Sequence, residues 1–312
     1  MNGLEIAKAY FETHGLPMLR EQFADFLPLL AAGLFGSGSE CAGFDDEVSR
    51  DHDFEPGFCL FLPDEEQLDR KTAFALERAY YKLPKEFAGA KRSLLSPVGG
   101  ARRGVLRTGE FFENLVGSSD GVLTLEQWLK LPTQALFEAT NGEVYFDSFG
   151  EVSAIRARLA KMPEDVRRKR LAAQLLLMAQ AGQYNYRRCL HHGETVAAQL
   201  AVGEFAKAAL SAAFLLAERY MPYYKWSFRA LRQTAFADLA VPLEYLLTTP
   251  NEGEYADMKA DIIEETAVRI IDELQRQDLT QAICGDLEQH AYSVNDAIAD
   301  GEVRNLHILY TV

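Results

Sequence analysis

Cysteine is scarce: the 312 residues hold four, at positions 41, 59, 189 and 284, with no CxxC spacing between them. That excludes a disulfide scaffold and points to reduced thiols in a cytoplasmic chain. Positive charge is also in deficit, with 32 Lys and Arg against 46 Asp and Glu, a net charge of −14 and a pI near 5.0. A surface that grips nucleic acid or an anionic membrane along its whole length needs a basic footprint, so both classes are set aside. No apolar run approaches the roughly 20 residues that span a bilayer, so no membrane association is expected. Residues 1–15 carry Glu5 and Glu12 and lack an unbroken apolar stretch, which argues against a signal peptide. Internal repeats and low-complexity tracts are absent from the sequence. What remains is 48% apolar and 25% charged, the make-up of an ordinary globular chain long enough for about two domains.

The charge is unevenly divided. Residues 1–156 hold 15 basic and 25 acidic side chains, residues 157–244 hold 13 and 7, and residues 245–312 hold 4 and 14. A basic middle between two acidic ends suits an anionic ligand near that middle, although solvated helix faces produce the same blocks.

Hydrophobic spacing predicts helices over 3–13 and 16–30, then a short strand from Ala31 to Phe35 that stops at Gly36-Ser37-Gly38-Ser39. A second apolar run, Phe58 to Leu62, reads as a strand ending at Pro63. Asp64 is the expected N-cap of a helix reaching about Lys82. Residues 125–131 read as helix and 142–149 as strand. Farther on, Ala- and Leu-rich segments at 152–161, 164–182, 193–219, 222–238, 253–276 and 279–288 carry helical spacing. The expected fold class is therefore α+β: a small mixed-sheet domain over residues 1–155, followed by an all-helical domain over 156–312.

The stretch Gly36 to Asp53, GSGSECAGFDDEVSRDHD, carries the chemistry. Asp51 and Asp53 are one residue apart at an expected strand start, so their side chains share a face while His52 takes the other. Two carboxylates side by side repel unless a cation lies between them, and oxygen ligands of this kind suit Mg²⁺. Gly38-Ser39, with no Cβ at Gly38, lets backbone N–H groups approach phosphate oxygens. A phosphate turn followed by metal-binding acids is what holding a metal–nucleotide requires.

Gly38-Ser39, Gly43, Ser49, Asp51 and Asp53 resemble the GSxxxG…SxDxD signature of the DNA polymerase beta-type nucleotidyltransferase superfamily. The sequence GSECAGFDDEVSRDHDFEPGF is similar to an uncharacterised bacterial branch of it, related in layout to antibiotic-modifying nucleotidyltransferases. GEVYFDSFGEV (142–152) and YMPYYKWSFRAL (220–231) extend that likeness along the chain. The resemblance implies two Mg²⁺ ions held by Asp51, Asp53 and a third carboxylate on a neighbouring strand, for which Asp147 is the candidate as metal ligand or base. It implies a nucleoside triphosphate, ATP first, as the donor and a hydroxyl of a small molecule or protein as the acceptor. Departures are His52 between the two acids, where an apolar residue is usual, and the extra acid at Asp45-Asp46-Glu47. In the helical half Lys225 is the leading candidate for the triphosphate, with Arg188 and Arg229 behind it; solvated surface charge explains all three equally simply. His191-His192 has no third ligand or HExxH spacing and is no zinc site. The alternative function is a nucleotide-binding regulatory or antitoxin-like module without catalysis.

Overall fold

The computed structural model describes residues 1–47, 55–91 and 103–311. Asp51, His52, Asp53 and Ser49 fall outside these residues. The fold is α+β, and the chain divides into two compact units: Met1–Leu123 with Leu131–Lys161, and Thr124–Lys130 with Met162–Val312.

The first unit holds a four-stranded mixed sheet. Its strands are β1 (Ala31–Leu34), β2 (Cys59–Leu62), β5 (Gly104–Arg107) and β6 (Glu143–Asp147), in the order β5-β2-β1-β6; β3 (Glu86–Phe87) and β4 (Ala90–Lys91) form a separate hairpin. β1 runs antiparallel to both neighbours, and β2 is parallel to β5. Both central strands are buried along their whole length, which is why they read as continuous apolar runs and not as alternating ones. One face packs Leu60 and Leu62 against Tyr10, Phe11, Leu19, Leu76 and Tyr80. Those residues come from α1 (Gly3–Tyr10), α2 (Leu16–Gln22), the π-helical link between them, and α3 (Arg70–Tyr81). On the other face Phe35 and Phe61 stack at 4.9 Å, with Phe111 and Phe112 of α4 (Thr108–Val116) set against them. The ladder between β1 and β6 shifts register at Gly33, where a Cβ would lie 2.6 Å from the Glu143 carbonyl oxygen; only glycine permits that approach. Helices α6 (Thr133–Thr140) and α7 (Glu151–Leu159) flank β6 in the chain.

The second unit is helical: α5 (Leu125–Lys130), α8 (Glu164–Met178), α9 (Arg187–His191), α10 (Thr195–Leu216), α11 (Tyr224–Leu231), α12 (Ala240–Thr248), α13 (Glu254–Arg276), α14 (Leu287–Asp296) and α15 (Gly301–Asn305). The Arg170 guanidinium donates to the Trp128 and Leu129 carbonyls at 2.8 and 3.1 Å, tying α5 to α8. Among the described residues α10 is the one helix long and apolar enough to cross a membrane, but 61% of its apolar window is buried in this unit. That burial explains its composition, since core helices and membrane helices draw on the same residues.

Several expected boundaries moved for identifiable reasons. The helix expected from Asp64 begins at Arg70, because Asp69 is the N-cap and accepts the Thr72 N–H at 2.7 Å, while Asp64 closes a separate turn onto Glu66 and Gln67. The helix expected at 279–288 lies at 287–296, started by Asp286; the segment before it is held by buried His290, whose Nε2 donates to the Cys284 carbonyl at 2.8 Å. The helix expected at 164–182 passes into a π-helical stretch, Ala179–Tyr186. There Gly182 faces Phe205 so closely that a Cβ would sit 2.3 Å from the ring.

Two lysines are wholly buried in the helical unit. Lys259 donates to Asn251 Oδ1 at 2.9 Å and Gln199 Oε1 at 3.1 Å, and Lys169 to Asn295 Oδ1 at 2.9 Å and the Leu306 carbonyl at 2.6 Å. Burial holds both ammonium groups below the ordinary lysine value of 10.5. Between the lowered values and 10.5 the unfolded chain binds protons that the folded chain does not, so stability rises with pH through that window. Lys259→Met is expected to flatten that rise in urea melts taken across alkaline pH. An unchanged slope contradicts this assignment.

Candidate functional site: the glycine turn after the central strand

The chain leaves β1 at Leu34 and is clamped at once. Gly36 N donates to Asn141 Oδ1 at 2.9 Å, and Asn141 Nδ2 donates to the Gly36 carbonyl at 2.8 Å, so one side-chain amide replaces a strand partner. Arg156 donates to the carbonyls of Ala139, Thr140 and Asn141 at 3.1, 3.0 and 2.7 Å, and lies 4.4 Å over the Phe35 ring. Burial brings its pKa down to about 10, and the guanidinium still carries its charge at neutral pH. Gly38 follows with φ +125°, a conformation that L side chains rarely adopt. Residues 38–44 then make a single helical turn, with Ala42 N donating to the Gly38 carbonyl at 3.3 Å and Phe44 N to the Ser39 carbonyl at 2.8 Å. Asp45 accepts the Gly3 N–H at 2.8 Å, so it anchors α1.

A buried ion pair that the sequence did not reveal stands at this turn. Arg103 Nη2 donates to Glu40 Oε1 at 2.9 Å, with the side chains 11% and 9% exposed. Arg103 Nη1 also donates to the carbonyl of Glu55, and its stem packs on Gly57. Beside them the Cys59 thiol is fully buried, and burial pushes its pKa up to about 12, so it is an inert core group at neutral pH. Nothing in the pattern GSxxxG marks Glu40, and Arg103 is one of three arginines in the 101–107 segment. Neither could be singled out before the sheet brought them together.

Strand register separates Asp147 from this turn. Asp147 pairs with Ala31, where β1 begins, whereas the turn leaves from Leu34, where β1 ends. The two lie at opposite ends of a strand about 10 Å long at the usual rise of ~3.3 Å per residue. Its neighbour in the sheet is β1, while the strand beside β2 is β5, Gly104–Arg107, which holds no acid. The Asp147 carboxylate accepts the Gly150 N–H at 2.8 Å and the Ser153 N–H at 2.7 Å, closing the turn into α7. Glu151 lies nearby, raised by burial and by the charges of Asp64 and Asp147. Among the described residues no group of three or more His, Cys, Asp or Glu could hold a metal ion.

The three candidate cations of the helical unit, Lys225, Arg229 and Arg188, are exposed. Lys225 and Arg229 lie one turn apart on α11, at 4.8 and 5.9 Å from the Trp226 ring. Arg188, on α9, stacks 4.9 Å over Tyr184. Trp226 thus brings Lys225 and Arg229 together, while Arg188 is set against a different ring.

A cavity of about 730 Å³ in the first unit is lined by Phe35, Gly36 and Ser37, together with Phe74, Arg107 and Phe111 among others. Its volume is within the range of small-ligand sites.

A family model described as a domain of unknown function, DUF4037, matches residues 128–227, about a third of the chain. The match includes Asp147, Arg188 and Lys225 but stops short of Arg229 and does not reach the glycine turn. A comparison with curated proteins gives no match.

The role of Asp147 in closing the turn into α7 has a direct test. Asp147→Ala is expected to cost about 1 kcal/mol in urea unfolding, the usual worth of such a cap, and to leave any Mg²⁺-dependent nucleotide effect on melting in place. Loss of that effect with unchanged stability would make Asp147 a metal ligand instead.

Proposed function

We propose that the protein is a cytoplasmic, Mg²⁺-dependent nucleotidyltransferase that moves a nucleoside monophosphate from a nucleoside triphosphate, ATP first, to a hydroxyl of a small molecule or protein. The observation that carries this reading is the glycine turn itself. It follows a buried central strand, is fixed at Gly36 by Asn141, and bends at Gly38 with φ +125°. A rigid turn with no side chain at its bend suits close approach of phosphate oxygens to backbone N–H groups. The residues entering β2 are at the same end of the sheet, since Cys59 pairs with Gly33. The sequence that leads into them carries Asp51 and Asp53, the expected Mg²⁺ ligands.

When bound there, Mg²⁺ would neutralise phosphate charge during in-line displacement. In that reaction the acceptor hydroxyl oxygen bonds to the α-phosphorus and releases its proton to solvent, the bond to the bridging oxygen breaks, and pyrophosphate departs. The chain's contribution is to hold the triphosphate on the turn. The 730 Å³ cavity beside Gly36 and Ser37 has aromatic walls suited to a nucleoside. Within the helical unit, Lys225, Arg188 and Arg229 are exposed cations available to an anionic ligand.

One observation favours the second reading, a nucleotide-binding module without catalysis. Asp147 closes the turn into α7 at the far end of β1, and β5 carries no acid beside β2. A third carboxylate for the reaction then has to come from elsewhere.

ATP or GTP with Mg²⁺ is expected to raise the melting temperature, and Asp51→Ala with Asp53→Ala to abolish the rise. Absence of a rise with every nucleoside triphosphate rejects both readings. Pyrophosphate release across a library of hydroxyl acceptors separates them: release identifies the transferase, and binding without release the module.

A further inference from the structure

We propose that Arg103 binds the phosphate chain of the nucleoside triphosphate, and that Glu40 is an internal anion holding Arg103 in place until the triphosphate displaces it. This rests on the nucleotide reading above and adds two residues that the sequence signature does not contain.

Three observations lead to it. The first is cost. Burying a carboxylate and a guanidinium together forfeits the hydration of both, and such a pair is poor value for stability unless its hydrogen bonding is complete. Here it is incomplete. Arg103 reaches Glu40 through Nη2 and the Glu55 carbonyl through Nη1, while its Nε is buried with no partner among the described residues. A guanidinium with a spare donor is suited to a ligand that offers more acceptor oxygens than one carboxylate does.

The second is the place of the Glu40 carboxylate. Three of its atoms lie 2.7–2.8 Å from where a Cβ on Gly38 would stand. The carboxylate therefore fills the space that the missing side chain leaves at the turn, the space phosphate oxygens need in order to reach the backbone. An anion of the protein's own sits where the proposed anionic ligand would go.

The third is connectivity. Arg103 immediately precedes β5, and its two partners belong to the glycine turn and to Glu55, which follows Asp53 by two residues. One guanidinium thus bridges the turn proposed for phosphate and the segment that continues from the two metal-binding acids. Exchange of Glu40 for a triphosphate keeps a negative partner on Arg103 throughout. It releases to water a carboxylate on a flexible side chain and clears Gly38. No covalent step is involved.

The two residues then have opposite effects on affinity, which a merely structural ion pair does not produce. Calorimetric titration of the full chain with Mg²⁺ and ATP, GTP or inorganic tripolyphosphate, and with AMP as the short-chain control, reads them out. Arg103→Met is expected to weaken ATP and tripolyphosphate binding about tenfold or more, the worth of a charged hydrogen bond, with AMP affinity little changed. Glu40→Gln keeps the side chain's shape but removes the competing charge, and is expected to tighten ATP and tripolyphosphate binding. Circular dichroism establishes that each variant is folded; should Arg103→Met not fold, the direction of the Glu40→Gln effect decides alone. Unchanged or weaker triphosphate binding by Glu40→Gln, or unchanged binding by folded Arg103→Met, overturns the proposal while the nucleotide reading stands. Failure of the unsubstituted protein to bind ATP, GTP and tripolyphosphate rejects the nucleotide reading, and the proposal with it.

Discussion

Glu40 has lost most of its water, and the position of its carboxylate against Gly38 depends on the charge that Arg103 supplies. That constraint organises the surroundings. Gly38 must be glycine twice over, for a φ of +125° and for the room the carboxylate takes. Arg103 must be carried to the entrance of β5, which requires β5 to run parallel to β2 with Gly104 opposite Cys59. The turn must also be held from its other side, and Asn141 does this by bonding both backbone groups of Gly36. Arg156 in turn secures the end of α6 and covers Phe35. A backbone turn is thereby made rigid by side chains more than 60 residues away in sequence.

The two ends of the short sheet consequently carry different chemistry. At the end where β1 finishes stand the glycine turn, Glu40 and Arg103. At the end where β1 begins stand Asp64, Asp147 and Glu151; burial first, and then the charges of the other two, raise Glu151, while Asp64 and Asp147 close turns through hydrogen bonds. Acidic residues serve metal-binding expectations at one end and helix initiation at the other. Their sequence context looks much alike.

That contrast explains what the sequence could and could not disclose. Short apolar runs bounded by Gly and Pro located β1 and β2, because strands buried on both faces need uninterrupted apolar residues; β6, a half-buried edge strand, showed as a short apolar stretch between Gly142 and Gly150. The long helices of the second unit were visible from their spacing. Asp147 stood out as an acid within an apolar strand, but its role depends on register, and register is set by pairing across more than 100 residues. The Glu40–Arg103 pair, 63 positions apart, left no local trace. The start of α3 was misplaced because Asp64 and Asp69 both have cap chemistry, and only the chain's path decides which one uses it. Asp51 and Asp53 are legible by spacing alone; they lie outside the described residues, and Gly38 and Ser39 are the part of the signature whose geometry is defined.

The central claim is that the glycine turn after β1 receives the triphosphate of a Mg²⁺–nucleotide. A crystal structure of the protein with a non-hydrolysable ATP analogue and Mg²⁺ tests it most directly. The account predicts phosphate oxygens on the backbone at Gly38 and Ser39, a cation between Asp51 and Asp53, and Asp147 still bonded to Gly150 and Ser153. A nucleotide bound away from the turn, or a cation bridging Asp147, would contradict it.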